Sequence, residues 1–305
     1  MQEIRGHQLA RVAPFFMQEI TLQQLLEAGC HFGHKSERWN PKAGQFIFTE
    51  KDGIHVIDLA KTKAGLDDAS EFAKDLLSHG GELLFVATKR QAMGVVREAA
   101  ERAGAPYLVE RWIGGFLTNW EEVKKNIDKI NRLEEEKATG KWKGMPKHEQ
   151  GKLTRYIERL KVFYGGVLQV KGLPNALFFV DVKRERAAVR EAMRVGIPVI
   201  AIVDTNSDPT GIEYVIPAND DAVGSVKLIC DAIASSYSQG REARTKDTPP
   251  EKPAHAPVVT TAATPATEPT APVVARPPTK TIAGDAQAVA PKKKRGRPKK
   301  SAAVS

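Results

Sequence analysis

The sequence predicts an α/β fold in which a parallel sheet is covered by helices on both faces. Short apolar runs such as residues 82–87 contain almost no polar side chain, which is typical of a strand buried on both faces. Longer segments with helical periodicity alternate with these runs along the chain. This alternation is the pattern of successive β-α-β units, and it predicts parallel strands joined by helical crossovers.

The elements follow one another along residues 17–118 and 165–240, which we assign to the α/β domain. After a short amphipathic segment at 21–28, the predicted strands are 54–57, 82–87, 107–109, 176–181, 198–204 and 214–216, and the predicted helices are 61–78, 91–103, 184–195 and 221–238. Residues 29–41 mix glycines with histidine, aromatic and basic side chains, so neither helix nor strand is predicted there. We expect this stretch to be a surface that contacts a large anionic partner.

One insertion, residues 119–164, interrupts the alternation. Apolar residues recur at spacings of three and four in 119–139 and again in 153–164, and nearly all other positions are charged or polar. Two glycines and Pro146 form a turn between the two segments. Narrow apolar seams with charged flanks predict an antiparallel coiled-coil hairpin, which should protrude because a narrow stripe cannot cover a sheet. An ordinary packed helix pair is the alternative.

The composition changes near residue 240. Residues 241–305 contain no aromatic side chain and are rich in Ala, Pro and Thr, which predicts a disordered tail. This tail holds 13 Lys and Arg residues against 5 Asp and Glu, so it supplies nearly all of the net charge of +9. Any nucleic-acid binding by the nearly neutral body must therefore use local patches. At the other end, residues 1–16 form an N-terminal extension, which we expect to result from a mis-called start codon upstream of a natural start at Met17; a genuine extension is the alternative.

The basic end of the tail suggests an alternative function. Its segment Lys294–Pro298 (Lys-Arg-Gly-Arg-Pro) resembles the core of an AT-hook, which places arginines in the minor groove of DNA. The simpler interpretation is a basic tail that holds polyanions loosely.

Several classes of protein are disfavoured by what the chain lacks. The two cysteines, Cys30 and Cys230, cannot form a disulfide framework, which favours a reducing cytosol. The apolar runs are too short for membrane helices, so no membrane partner is expected. No dinucleotide fingerprint, P-loop or nucleophile elbow is present, so we predict no enzyme and no cofactor. A nucleotide-dependent enzyme is retained as the alternative, because polar residues follow several strands.

A metal site is a further alternative. His31 and His34 lie three residues apart, and Asp204 and Asp220 each follow a predicted strand. These carboxylates could share a structural divalent cation with a histidine such as His34. We favour the other interpretation, in which the aspartates and their neighbours cap turns and helices.

The basic and aromatic residues of the body predict an RNA-binding surface. Two tryptophans each adjoin an arginine, which suits base stacking combined with a phosphate contact, although a half-buried tryptophan under an arginine stem is equally compatible. Thr88 is expected to cap the following helix and to leave free amides beside two cations. The predicted RNA-binding residues are Lys35, Arg38, Trp39, Lys42, Lys89, Arg90, Arg111 and Trp112.

Several blocks of sequence, in the right order, resemble the bacterial ribosomal protein S-two family of the small ribosomal subunit. They are residues 29–34, 38–41, 53–59, 84–92, 111–115, 117–119, 173–177, 196–199, 201–206 and 214–221. The resemblance covers about residues 18–237. It departs from the family pattern at Lys35 and Ser36, at residues 43–45 and at Phe116, which affects the expected detail of RNA contacts.

The resemblance implies a five-stranded, Rossmann-like (flavodoxin-like) parallel sheet with a protruding coiled coil. It also implies a structural role in the small subunit of the cytoplasmic bacterial ribosome, between its head and body. The implied partners are small-subunit ribosomal RNA and neighbouring ribosomal proteins, including S-one, whose docking the family supports. Late joining of the particle is implied as well, whereas catalysis and homo-oligomer formation are not.

Overall fold

The computed structural model describes residues 20–246. Its helices are α1 (Leu22–Glu27), α2 (Leu59–Ser78), α3 (Arg90–Ala103), α4 (Trp120–Ala138), α5 (Lys147–Tyr164), α6 (Arg186–Val195) and α7 (Val223–Lys246). Its strands are β1 (Phe32–Lys35), β2 (Ile47–Lys51), β3 (Ile54–Ile57), β4 (Leu83–Val86), β5 (Tyr107–Leu108), β6 (Ala176–Phe179), β7 (Val199–Val203) and β8 (Tyr214–Pro217). The predicted extension at 1–16, the tail after 246 and its AT-hook-like segment lie outside the described residues.

The central sheet confirms the predicted fold class. Its five strands run in the order β5-β4-β6-β7-β8, and every neighbouring pair is parallel. Counted by their order in the chain, this is the 2-1-3-4-5 arrangement of flavodoxin-like folds. Every residue of β4, β6 and β7 is buried, as the continuous apolar runs predict.

Helices cover both faces of this sheet. Alternate residues of β4 point to opposite sides, so that Leu83 and Phe85 belong to one apolar cluster and Leu84 and Val86 to the other. The first cluster contains buried residues of α2, α3 and α7, and the second contains residues of α6 and of the insertion. The doubly covered arrangement follows from strands that are apolar on both faces.

A second, smaller sheet corrects two predictions. It is antiparallel with the order β1-β3-β2, so residues 54–57 form a strand but not one of the parallel sheet. Residues 32–35, where no regular structure was predicted, form β1. The pairing of β1 with β3 is irregular between Phe32 and Lys35. Gly33 lies close to the segment after β7, since a Cβ at Gly33 would be 2.7 Å from the Cγ2 atom of Thr205.

The insertion forms two long helices, α4 and α5, joined by a turn that contains Gly140 and Pro146. The second helix begins at Lys147, earlier than the predicted 153. The apolar positions Val123, Ile127 and Ile130 are buried, as their spacing predicts. The ammonium group of Lys129 donates to the hydroxyl of Tyr156 at 3.0 Å and so links the two helices. The coiled-coil geometry and the protrusion of this hairpin remain predictions.

The last helix extends beyond its predicted end. α7 continues to Lys246, past its predicted end at 238 and past the expected start of the tail at 241. It packs against the end of α2 so closely that a Cβ at Gly240 would lie 2.2 Å from the carbonyl oxygen of Lys74. Within residues 20–246, no helix is both long enough and apolar enough to cross a membrane.

Candidate nucleic-acid interface

Lys89 lies in a cluster of carboxylates beyond the ends of the parallel strands. Its ammonium nitrogen is 2.8 Å from Asp220 Oδ1, 2.7 Å from Asp221 Oδ1 and 3.6 Å from Asp181 Oδ2. Only 12% of the lysine side chain is exposed. Lys89 therefore neutralises neighbouring carboxylates within the protein. The sequence had predicted that its charge would contact an RNA phosphate instead.

His34 connects the small sheet to the same cluster. Its Nδ1 atom is 3.1 Å from Asp204 Oδ1, and its Nε2 atom is 3.3 Å from Asp221 Oδ2. The hydrogen bond to Asp204 and the surrounding carboxylates raise the pKa of His34, against the opposing effect of burial. These contacts favour the imidazolium form of His34 over the neutral ring.

The candidate metal ligands are brought together in part. His34, Asp204 and Asp220 each offer a ligand atom within 4.8 Å of the others. His31 lies apart from them and packs against the ring of Phe32, with 3.9 Å between ring centroids. The same cluster contains the ammonium of Lys89, 2.8 Å from Asp220 Oδ1.

Excess negative charge changes the acidity of the cluster. Burial and the carboxylates of Asp181 and Asp204 raise the pKa of Asp220 to about 7. Four carboxylates, those of Asp181, Asp204, Asp220 and Asp221, surround the ammonium of Lys89 and the imidazole of His34. The cluster therefore retains a proton that isolated aspartates would release near pH 4.

Side-chain to backbone hydrogen bonds of the capping kind are present in the segments after β7 and β8. The side-chain oxygen of Asn219 accepts hydrogen bonds from the amides of Asp221 at 2.8 Å and Ala222 at 3.2 Å. The Oδ1 atom of Asp204 accepts one from the amide of Thr205 at 2.5 Å. These aspartates and asparagines hold the turns that bring the cluster together.

The prediction that Thr88 caps α3 is wrong. The Thr88 hydroxyl donates to the buried carboxylate of Glu185, and its amide donates to the same oxygen at 3.0 Å. Lys89 instead occupies the position before α3 and provides no side-chain cap. Thr88 is therefore buried and bonded to Glu185, while Arg90 is exposed at the first position of the helix.

Trp112 is packed into the protein, as the second interpretation of the sequence allowed. Its indole N–H donates to Glu191 Oε1 at 3.0 Å, and its ring packs against Phe116 with 5.4 Å between centroids. Glu191 also accepts from the amides of Gly115 at 2.9 Å and Leu117 at 3.2 Å. Sequence reasoning missed Glu191, because nothing in the sequence distinguishes it from an exposed acid on a helix.

Arg111 is exposed beside the hairpin. Its guanidinium carbon lies 5.9 Å from the ring centroid of Phe163, a cation–π distance. The stacking partner of Arg111 is thus an α5 side chain of the protein itself.

The loop that follows β1 keeps its predicted residues at the surface. Lys35 and Arg38 are exposed and take part in none of the ion pairs formed among residues 20–246. Trp39 is 44% exposed, and its ring forms a T-shaped pair with His55 at 5.6 Å between centroids. Lys42, in contrast, forms an exposed ion pair of 2.9 Å with Asp208.

The predicted RNA-binding residues therefore fall into two groups. Lys35, Arg38, Trp39, Lys42, Arg90 and Arg111 lie at the surface, whereas Lys89 and Trp112 are partly buried and bonded to carboxylates of the domain. The crevice in which flavodoxin-like folds bind small ligands is bridged here by ion pairs. This arrangement defines an α/β protein whose strand-end crevice is filled by its own side chains.

Comparison with known proteins gives the particular family. Residues 25–240 match the family described as ribosomal protein S2. The small ribosomal subunit protein uS2 of Coprothermobacter proteolyticus is 49% identical over 228 residues, which cover 75% of this chain and 85% of that protein. The chain belongs to the ribosomal protein S2 family. It has a structural role in the small ribosomal subunit and is not an enzyme, as the sequence predicted.

Proposed function

We propose that this protein binds the ribosomal RNA of the small subunit through exposed cations of its α/β domain, and so holds RNA and neighbouring proteins in place. The observation that supports this best is the loop of residues 35–42, which presents Lys35, Arg38 and Trp39 to solvent. Cations of this kind contact phosphates, and an exposed tryptophan can stack on a base.

The loop is anchored at both ends, which suits it to binding. The amide of Ser36 donates to the carbonyl of Gly53 at 2.9 Å, and that of Asn40 donates to the carbonyl of Thr205 at 2.7 Å. A loop held in this way loses little conformational entropy when it binds, so more of the contact free energy appears as affinity.

The remaining parts of the proposal concern partners. The hairpin and the adjoining surface are proposed to contact neighbouring proteins of the small subunit, including S-one, with the protein joining the particle late and residing in the bacterial cytoplasm. We further propose that Lys89 takes the place of a structural divalent cation, since its ammonium group already lies 2.8 Å from Asp220.

Sedimentation tests the central proposal. A chain ending at residue 246 should co-sediment with small subunits that lack this protein, and a Lys35→Glu, Arg38→Glu variant should bind them at least tenfold more weakly. The control variant Lys74→Glu, Lys227→Glu reverses two exposed cations on α2 and α7, and should bind normally.

The outcomes separate the alternatives. Normal binding by the Lys35→Glu, Arg38→Glu variant would remove the loop from the proposal. Binding to duplex DNA only when residues 291–300 are present, without binding to subunits, would favour the AT-hook alternative.

A further inference from the structure

The segment around α6 separates its charges in an unusual way, with the acids directed inward. Asp181 Oδ1 accepts from the amide of Arg184 at 2.9 Å, and Glu185 is buried and accepts from Thr88. Glu191 accepts from Trp112 and from the loop after it. Each carboxylate of residues 181–195 is thus used within the protein, and none is left to neutralise the outer surface of the helix.

The cations of the same segment are directed outward. Lys183, Arg186, Arg190 and Arg194 are all exposed, and none forms an ion pair with another residue in the described range 20–246. The three arginines recur every four residues and so follow one side of α6. At 1.5 Å per residue they are about 6 Å apart along the helix axis, which makes a linear row of positive charge.

A groove runs beside this row, between α6 and residues 206–210, with a volume of about 430 Å³. Its apolar part includes Val189 and Met193, and half of the Met193 side chain is exposed. Asn40 and Asn206 also line the groove. The size lies within the range of small-ligand sites in proteins, which is enough for one nucleotide.

The polar groups of the groove are suited to a nucleobase. The side-chain oxygen of Asn40 accepts from the amide of Lys42, and that of Asn206 accepts from the hydroxyl of Ser207. Neither NH₂ group donates a hydrogen bond within residues 20–246, so each asparagine can offer it to a ligand as a donor. Donors of this kind suit the acceptor atoms on a base edge.

The groove contains one acid, Asp208, whose charge is already compensated. Hydrogen bonds from Thr210 and Lys42 lower the pKa of Asp208 to about 2, so it is ionised at neutral pH. The ammonium of Lys42 lies 2.9 Å from its carboxylate. The net charge of this face therefore comes from the α6 cations.

We propose that α6 and this groove bind a single-stranded segment of RNA. Arg186, Arg190 and Arg194 contact successive phosphates, and one base enters the groove against Met193. This inference rests on the proposed function, which supplies ribosomal RNA as the ligand. It adds a surface that the sequence analysis did not identify and that adjoins the loop of residues 35–42 through Asn40.

The salt dependence of binding tests the arginine row. The probe is a 12-nucleotide single-stranded RNA, and its affinity for the full chain is measured by fluorescence anisotropy between about 50 and 200 mM salt. The variant Arg186→Gln, Arg190→Gln, Arg194→Gln should reduce the slope of log affinity against log salt by about 2, since each phosphate contact on single strands contributes about 0.7. The single variant Arg190→Gln should reduce it by about 0.7.

A matched control removes the same charge elsewhere. Lys74→Gln, Arg102→Gln, Lys227→Gln neutralises three exposed cations on α2, α3 and α7, and should leave the slope unchanged. A wild-type slope in both the triple and the single α6 variants would overturn the arginine row as an RNA contact.

The groove is tested by substitutions that should change the affinity for RNA without changing its salt dependence. Met193→Ala with Asn206→Ala should weaken binding about tenfold, as expected for the loss of one apolar contact and one hydrogen bond to a base, without changing the salt slope. An RNA with abasic sites should bind wild type and variant alike. Wild-type affinity of this variant for the intact RNA would overturn the base site.

Failure of this inference is distinguishable from failure of the proposed function. If the wild-type chain binds neither the RNA nor small subunits, the proposed function fails. If wild type binds both and the α6 variants bind equally well, the α6 surface alone is wrong.

Discussion

The ammonium nitrogen of Lys89 lies 2.8 Å from Asp220 Oδ1, although the two residues follow strands that are not neighbours. Lys89 follows β4 and Asp220 follows β8, and β6 and β7 lie between these strands. At about 4.8 Å per strand the strand ends are some 14 Å apart, so the loop after β8 must return across the sheet edge. The ion pair between Lys89 and Asp220 therefore holds the loop after β8 over the crevice at the carboxyl ends of the strands.

The first prediction concerns the removal of this ammonium group. Lys89→Met should lower the free energy of unfolding at pH 8 by about 3 kcal/mol, because buried carboxylates lose their cation while their mutual repulsion remains. Urea unfolding measures the change. Lys63→Met, which removes an exposed pair of 3.1 Å with Asp67, is the control and should cost less than about 0.5 kcal/mol. Equal effects of the two substitutions would contradict the structural role of Lys89.

The second prediction is a pH dependence that has its origin in the same cluster. The native protein keeps the Asp220 proton until about pH 7, whereas the unfolded chain releases it near 3.8. Between these values the native state binds more protons, so stability falls as pH rises. The raised pKa of His34 acts in the same direction, since its contribution is complete below 6.5 and is lost as pH rises through the folded value.

Asp220→Asn isolates this effect. At about 1.4 kcal/mol per pKa unit, the wild-type protein should lose a few kcal/mol of unfolding free energy between pH 4 and 7. The variant should lose much less, because it cannot ionise at this position. Urea unfolding at several pH values gives both curves, and parallel curves for the two proteins would show that Asp220 does not titrate in this range.

The third prediction tests the carboxylate of Glu191 as the support for the loop after β5. Glu191→Gln should cost about 1–2 kcal/mol of unfolding free energy, because a neutral amide offers one acceptor oxygen where the carboxylate offers two. Trp112→Phe removes one of its donors. A double-mutant cycle of the two changes should give a coupling of about 1 kcal/mol, and additive effects would contradict the contact of 3.0 Å between the indole and Oε1.

Local patterns allowed much of the fold to be predicted. Strand β4 is buried on both faces, so its apolar run was sufficient to predict a strand. Helix α4 was predictable because Val123, Ile127 and Ile130 recur on one side of it. Strand β1 was missed because it is short, irregularly paired and largely polar. Its strand conformation depends on pairing with β3, which the local sequence does not reveal.

The site was predicted less well, for a different physical reason. Lys89 and Arg90 are adjacent in sequence, but one is held among carboxylates and the other is exposed. Which role a cation takes depends on acids that arrive from distant strand ends, such as Asp220. Likewise the packed state of Trp112 depends on Glu191, which α6 brings to it. In both cases the residue type indicated a side chain able to contact RNA. Tertiary contacts decided whether that side chain was exposed or was bonded within the protein.

The fourth prediction compares two glycines that the same substitution should affect in opposite directions. Gly65 lies within α2, where a Cβ would be 2.2 Å from the carbonyl oxygen of Val215 in β8. Gly94 lies within α3, is exposed, and would place its Cβ in open space. Alanine raises helix propensity by about 1 kcal/mol at either position, so a difference between them reports the close approach of α2 to β8.

We therefore expect Gly94→Ala to stabilise the protein by about 0.5–1 kcal/mol. Gly65→Ala should instead destabilise it by about 2 kcal/mol, because the carbonyl of an edge strand must move or the helix must lift from the sheet. Urea unfolding measures both. Equal stability of the Gly65→Ala and Gly94→Ala variants would show that α2 leaves room for a Cβ atom beside β8. The close packing of α2 on the sheet would then be contradicted.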